Sequence, residues 1–214
     1  MAEGEELVES GAEDMPRVVA ALAGILERVA ERNDAAAAAA GLLAAAPASA
    51  FRATTKPGIS VRAYMARIAR FAGCSPACYV VAYVYLDRLL RRGRRLALAV
   101  DSYSVHRLLI TAVLAAVKFM DDICYNNAYF AKVGGISLVE MNYLEVDFLF
   151  GVGFELNVTP ETFGDYCAVL RSEMLCAEAP QAPPRLQYCC LPEDDAGAGA
   201  VVVCSSQSQQ QLAA

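Results

Sequence analysis

An all-α fold is predicted by three features of the sequence. Apolar residues recur at helical spacing in one segment after another, residues that start and stop helices stand at the segment ends, and no stretch shows the period-two alternation of a half-buried strand. Five such segments fall between residues 57 and 153, and no internal repeat points to a solenoid instead.

The elements follow in order. Residues 1–15 are acidic and are expected to be disordered. From Pro16, the residues Val18, Val19, Leu22, Ile25, Leu26 and Val29 share one helical face, with Asp14 as a candidate cap, so an amphipathic helix is predicted over 16–34, its pattern fading near Arg32. Residues 35–50 are alanine-rich and contain Gly41 and Pro47, and they read as a linker with little side-chain volume to pack.

The central unit spans 51–156. Its first helix carries Val61, Tyr64, Met65, Ile68 and Phe71 on one face and ends at Gly73, which suits a left-handed cap. Ser75 and Pro76 open the second, which is apolar on nearly every side until Arg91. Ser102 or Ser104 opens the third, VHRLLITAVLAAVKFM, whose apolar surface on all faces predicts a place at the centre of a bundle. A short fourth helix precedes Gly134 and Gly135. Ser137, with Glu140 three residues on, forms the capping-box start of a fifth, in which Leu138, Met141, Leu144, Phe148, Leu149 and Val152 make a stripe. Thr159-Pro160-Glu161 begins one more helix, assigned to 157–178, and the Pro-, Ala- and Gln-rich residues 179–214 are expected to be a disordered tail.

Composition narrows the function. The net charge is −6, with a mildly basic middle between two acidic ends, which argues against a dedicated nucleic-acid binder. The apolar run from Leu108 to Val117 is far short of the roughly 20 residues that cross a bilayer. Eight cysteines lie mostly within apolar stretches without a CxxC pair, and the acidic N-terminus lacks a signal-peptide core, so a reducing compartment, nucleus or cytoplasm, is expected. No metal or other cofactor is expected: there is one histidine, His106, read as a surface or boundary residue. GxSxG, HExxH and a Gly-rich phosphate loop are all missing from the sequence, so no catalytic residue is assigned.

What stands out is a set of charges in otherwise apolar helices. Arg62 adjoins the core face of the first central helix and Asp87 interrupts the second; if both are buried they should pair, since an isolated buried charge costs several kcal/mol, roughly. Lys118 follows a run of ten residues that is apolar but for Thr111, and Glu145 rises from the stripe of the fifth helix. Arg88, Arg91, Arg92, Arg94 and Arg95 make a basic cluster that reads as a solvated helix end, with nucleic-acid contact as the alternative.

These residues, together with Tyr125-Asn126-Asn127-Ala128-Tyr129-Phe130-Ala131-Lys132-Val133-Gly134-Gly135-Ile136, Leu144-Glu145 and Phe154-Glu155-Leu156, resemble the cyclin box. The likeness is to the P-type, or U-type, cyclins of plants, which are similar to the phosphate-pathway cyclins of yeast. It implies a five-helix cyclin box over 51–156 with an additional N-terminal helix, and a regulatory subunit that binds and activates a cyclin-dependent kinase in cell-cycle or nutrient signalling. Within the motif, Asn127, Ala131, Lys132, Gly134 and Gly135 carry the resemblance. It also implies that Arg62 and Asp87 form a structural ion pair and that Lys118 and Glu145 contact the kinase. One departure is the absence of any tryptophan, which many cell-cycle cyclins use in a substrate-docking patch on the first helix. A nucleic-acid-binding helical module and a non-activating scaffold are the alternatives.

Overall fold

The structure is a computed structural model that describes residues 16–41, 49–93, 98–122 and 125–178, all within the unit Met1–Pro180. Among the described residues there are seven helices and no strands: α1 (Arg17–Ala39), α2 (Val61–Ala72), α3 (Pro76–Gly93), α4 (Val105–Met120), α5 (Asn127–Gly134), α6 (Leu138–Gly151) and α7 (Pro160–Glu178). The expected disorder of residues 1–15 and 179–214, the Asp14 cap, and Arg94 and Arg95 all lie outside the described residues.

A helix without a polar face is stable in water only when neighbours enclose it. α4 is that helix. Every residue from Leu108 to Val117 is buried, and α2, α3, α5 and α6 pack around it. Its one buried hydroxyl is satisfied within the helix, Thr111 Oγ1 donating to the Arg107 carbonyl at 2.7 Å. α2 to α6 thus form the five-helix unit. α1 packs across α2 and α3, and α7 closes the far side against α1 and α3.

Local chemistry sets the helix ends. Ser60 and Ser137 cap α2 and α6, their hydroxyls accepting from Ala63 and Glu140 N–H at 3.1 Å. Glu140 does not return the bond to Ser137; it pairs with Arg107 of α4 and ties α6 to the core helix. At α4, neither Ser102 nor Ser104 caps by side chain. Asp101 does this work, its carboxylate accepting the N–H groups of Tyr103 and Ser104 at 2.9 Å each. α1 runs on through the first alanines of the expected linker, to Ala39. Alanine propensity permits this, and Asn33 and Asp34 anchor that turn to the segment before α4, Asn33 donating to the Val100 carbonyl at 2.7 Å and Asp34 accepting from Ser102 N–H at 3.2 Å.

His106 is buried, not a boundary residue. Its Nε2 bonds the Ile59 carbonyl at 2.9 Å and its ring meets Tyr64 edge-on at 4.9 Å. Cys78 is buried and Cys74 and Cys167 are half-buried, all as free thiols. None of the described helices is long and apolar enough to cross a membrane, and among the described residues no cluster of His, Cys, Asp or Glu could hold a metal ion.

Two expectations follow for stability. Leu109→Ala removes a fully buried side chain at the centre and should cost about 2–5 kcal/mol, whereas Val139→Ala on the exposed face of α6 should change stability by no more than about 0.5 kcal/mol in urea melts. Burial depresses the His106 pKa below its usual 6.5, so the fold favours the neutral ring. The stability this contributes is complete above pH 6.5 and is lost as pH falls through the depressed value. The parent should therefore lose more stability than His106→Asn between neutral and mildly acidic pH, by parallel melts across that range.

Candidate partner-binding face

The chain brings three helices to one carboxylate. Lys118 stands in the last turn of α4, just beyond the buried run, where a helix C-terminus favours a cation. Its Nζ reaches Glu145 Oε1 of α6 at 2.6 Å. The second oxygen, Oε2, accepts from Asn127 Nδ2 of α5 at 2.6 Å, and the same amide lies 2.8 Å from Asn142 Oδ1. Asn127 can do this because the neighbouring Asn126 caps α5, accepting from Tyr129 N–H at 3.0 Å, and so sets the helix start. Glu145 is 16% exposed and Lys118 36%, so the pair sits at a boundary between core and water.

Exposed apolar side chains surround this junction. Phe119 and Met120 follow Lys118 at the end of α4. On α6 the buried face consists of Met141, Leu144 and Phe148, while Val139, Tyr143, Val146 and Phe150 recur four, three and four residues apart as a second stripe pointing away from the core. Tyr143 and Phe150 are 69% and 70% exposed, which is unusual for rings of that size in a helix so well anchored. Sequence reading took α6 as a one-sided stripe that included Leu138, which in the structure is exposed. The signal for the second face was present: α6 has apolar residues on both sides.

Beyond α6 the backbone turns left-handed at Gly153 (φ 64°) and again at Phe154 (φ 57°), a conformation disfavoured for an aromatic residue. α3 holds it there. Arg92 donates to the Val152 carbonyl at 2.7 Å and pairs with Glu155 at 2.6 Å, Arg88 donates to the Glu155 carbonyl at 2.7 Å, and Tyr85 donates to the Leu156 carbonyl at 2.6 Å. The left-handed φ favours glycine at 153, and a Cβ there, 1.9 Å from Arg92 Nη1, would push the clamping guanidinium aside. The result is an outward Phe154 ring, edge-on to Phe150 at 5.2 Å. Arg88, Arg91 and Arg92 are therefore engaged within the protein and are not a free basic end. The motif residue Ala131 is buried on the inner side of α5, Lys132 is exposed, and Gly134 and Gly135 end the helix, Gly134 offering its carbonyl to the Tyr64 hydroxyl at 3.2 Å.

The structure does not pair Arg62 with Asp87. Arg62 is exposed on α2 and lies over Gly24 of α1. Asp87 is half-buried and takes Arg91 at 2.7 Å, one turn along α3, and the Tyr166 hydroxyl of α7. The reason is topological: α1 packs against both α2 and α3, and Asp87 faces α7. Burial and the Asp87 carboxylate together raise the Tyr166 pKa, which keeps that hydroxyl a donor.

The polar junction is framed by outward apolar rings, the arrangement of a candidate partner-binding face. The comparisons give the family. The cyclin model matches residues 16–156. The chain is 67% identical over 189 residues to Cyclin-P4-1 of Oryza sativa subsp. japonica, covering 87% of this chain and 88% of the relative. It is 53% identical over 170 residues to Cyclin-U4-2 of Arabidopsis thaliana, covering 77% and 74%, and 38% identical over 170 residues to Cyclin-U1-1 of the same plant, covering 77% of each. The chain belongs to the cyclin family, among the plant P-type and U-type cyclins. Cyclins are regulatory proteins rather than enzymes, and as a family they partner with cyclin-dependent kinases.

A double-mutant cycle checks the revised ion-pair assignment. Asp87→Ala should cost about 1–2 kcal/mol through the stranded Tyr166 hydroxyl, Arg62→Ala about 0.5 kcal/mol at most, and their coupling should vanish within about 0.5 kcal/mol in denaturant melts.

Proposed function

We propose that this chain is the regulatory subunit of a cyclin-dependent kinase, which it binds through the α4–α6 face and activates, in control of the cell cycle or of nutrient signalling. The observation that carries the reading is the Glu145 junction: one carboxylate held by Lys118 and Asn127 amid apolar side chains that the fold itself does not cover. A kinase helix laid on this face is held in the inward position that aligns the ATP-binding Lys–Glu pair. Moving that equilibrium from 1:99 to 99:1 takes about 5.5 kcal/mol of differential affinity. A single boundary ion pair contributes about 1 kcal/mol at most, so apolar contact with Phe119, Tyr143, Val146, Phe150 and Phe154 has to supply most of it. Lys118, Glu145 and Asn127 then set register, because their hydrogen-bonding groups are already aligned before the partner arrives. The nucleic-acid reading loses part of its support, since Arg88 and Arg92 of α3 clamp the α6–α7 connection instead.

Calorimetric titration of a cyclin-dependent kinase against variants of unchanged helical content tests this. Lys118→Ala and Glu145→Ala should each lose about 2–5 kcal/mol of binding, more than the pair itself contributes because the remaining charge is stranded in a desolvated contact, with kinase activation reduced in parallel. Parent-like activation by both would reject this face and favour a non-activating scaffold.

A further inference from the structure

The start of α3 holds a pair of thiols that the α4–α6 face does not use. Cys74 lies in the three-residue connection between α2 and α3, and Cys78 stands in the first turn of α3. Cys78 is fully buried and Cys74 half-buried, so Cys74 is the thiol that meets solvent. The two side chains hydrogen-bond to one another. Cys78 Sγ also lies 3.5 Å from the Ser75 hydroxyl and donates to both carboxylate oxygens of Asp121, each at 3.6 Å.

These surroundings favour a thiolate on Cys74 and a thiol on Cys78. The buried Tyr79 hydroxyl has no other partner among the described residues, and the group beside it is the Cys74 sulfur, which accepts far better as a thiolate. Hydrogen bonding from Cys78, helped by Tyr79, holds the Cys74 thiol below its ordinary value, at about 7, against burial and the Asp121 charge. Sharing its proton with Cys74, and burial, push the Cys78 thiol up, so Cys78 stays protonated. An accessible thiolate next to a buried thiol suits an attacking and a resolving cysteine.

We propose that Cys74 and Cys78 form a peroxide-oxidised dithiol whose disulfide weakens the α4–α6 face; the effect on that face rests on the kinase-binding reading above. The Cys74 thiolate attacks one oxygen of hydrogen peroxide. An S–O bond forms, the O–O bond breaks, and the departing hydroxide takes up the proton that the thiol released, giving water. Cys78 then attacks the sulfenic sulfur, so that the S–S bond forms, the S–O bond breaks, and the Cys78 proton leaves in a second water. The two sulfurs give up two electrons and the peroxide accepts them. Cys74 stands outside the helix, after the left-handed Gly73, so its backbone can supply the closure that two cysteines one turn apart inside a helix could not.

Asp121 links this chemistry to the face. It caps the C-terminus of α4, its N–H bonded to the Val117 carbonyl at 2.9 Å, directly after Lys118, Phe119 and Met120. A disulfide carries no S–H, so on oxidation Asp121 loses the donor that ties the exit of α4 to the start of α3.

The test treats the reduced full chain with hydrogen peroxide, removes the peroxide, alkylates the remaining thiols and maps tryptic peptides. Residues 71–88 make one tryptic peptide, so the disulfide should appear as that peptide lighter by two hydrogens, with neither cysteine alkylated. In Cys78→Ser, Cys74 should stop at the sulfenic acid and take a dimedone label. The oxidised parent should bind a cyclin-dependent kinase about tenfold more weakly than the reduced parent and recover with dithiothreitol. Cys74→Ser should bind like the reduced parent with or without peroxide. No disulfide within 71–88, a bond from Cys74 to another cysteine, or equal kinase affinity of the reduced and oxidised parent would overturn the proposal. Failure of the reduced parent to bind any such kinase would instead remove the kinase-binding reading and the coupling with it, while the dithiol stands or falls on the peptide map.

Discussion

The constraint on which the structure depends is the enclosure of α4. A sixteen-residue helix with a continuous buried run from Leu108 to Val117 has no stable exposed orientation, so four helices must surround it before any other feature can form. This enclosure also explains where function can lie. Apart from the half-buried Arg107, α4 reaches water at its last turn, at Lys118, Phe119 and Met120, and the proposed partner-binding face is built on that exit.

Glu145 converts the exit into a defined geometry. Without it, Lys118 would be a snorkelling cation at a helix end; with it, α4, α5 and α6 share one carboxylate and their relative positions are set to hydrogen-bond tolerance. Such a preformed polar junction lowers the ordering cost that a partner would otherwise meet. The outer stripe of α6 then has a rigid base, since its inner residues Met141, Leu144 and Phe148 are locked in the core.

The arginines of α3 show how a feature that reads as one thing in sequence acts as another in the fold. Their heads lie against carbonyls of the α6–α7 connection, where they stabilise two consecutive left-handed residues. The clamp orients Phe154 outward beside Phe150 and gives α7 its path back across α3, where Tyr166 meets Asp87. The same α3 that supports α4 thus supports the rim of the face.

The all-helical class, the central helix and the cap at Ser137 were legible in the sequence, because each rests on local periodicity or local capping chemistry, and Lys118 and Glu145 stood out singly as charges in apolar runs, their joint role resting on the resemblance. Periodicity could also have shown the second stripe of α6, but only the packed neighbours decide which apolar face of a two-faced helix is buried. Partner choice among charges was decided by tertiary structure alone. Arg62 and Asp87 are separated because α1 packs against both of their helices, and Asp87 finds Tyr166 on a helix nearly eighty residues away in sequence, 79 positions on. Likewise His106 is buried because α2 and the Ile59 carbonyl close over it. Sequence specifies which groups need partners through their desolvation cost, and the three-dimensional topology determines which partners are within reach.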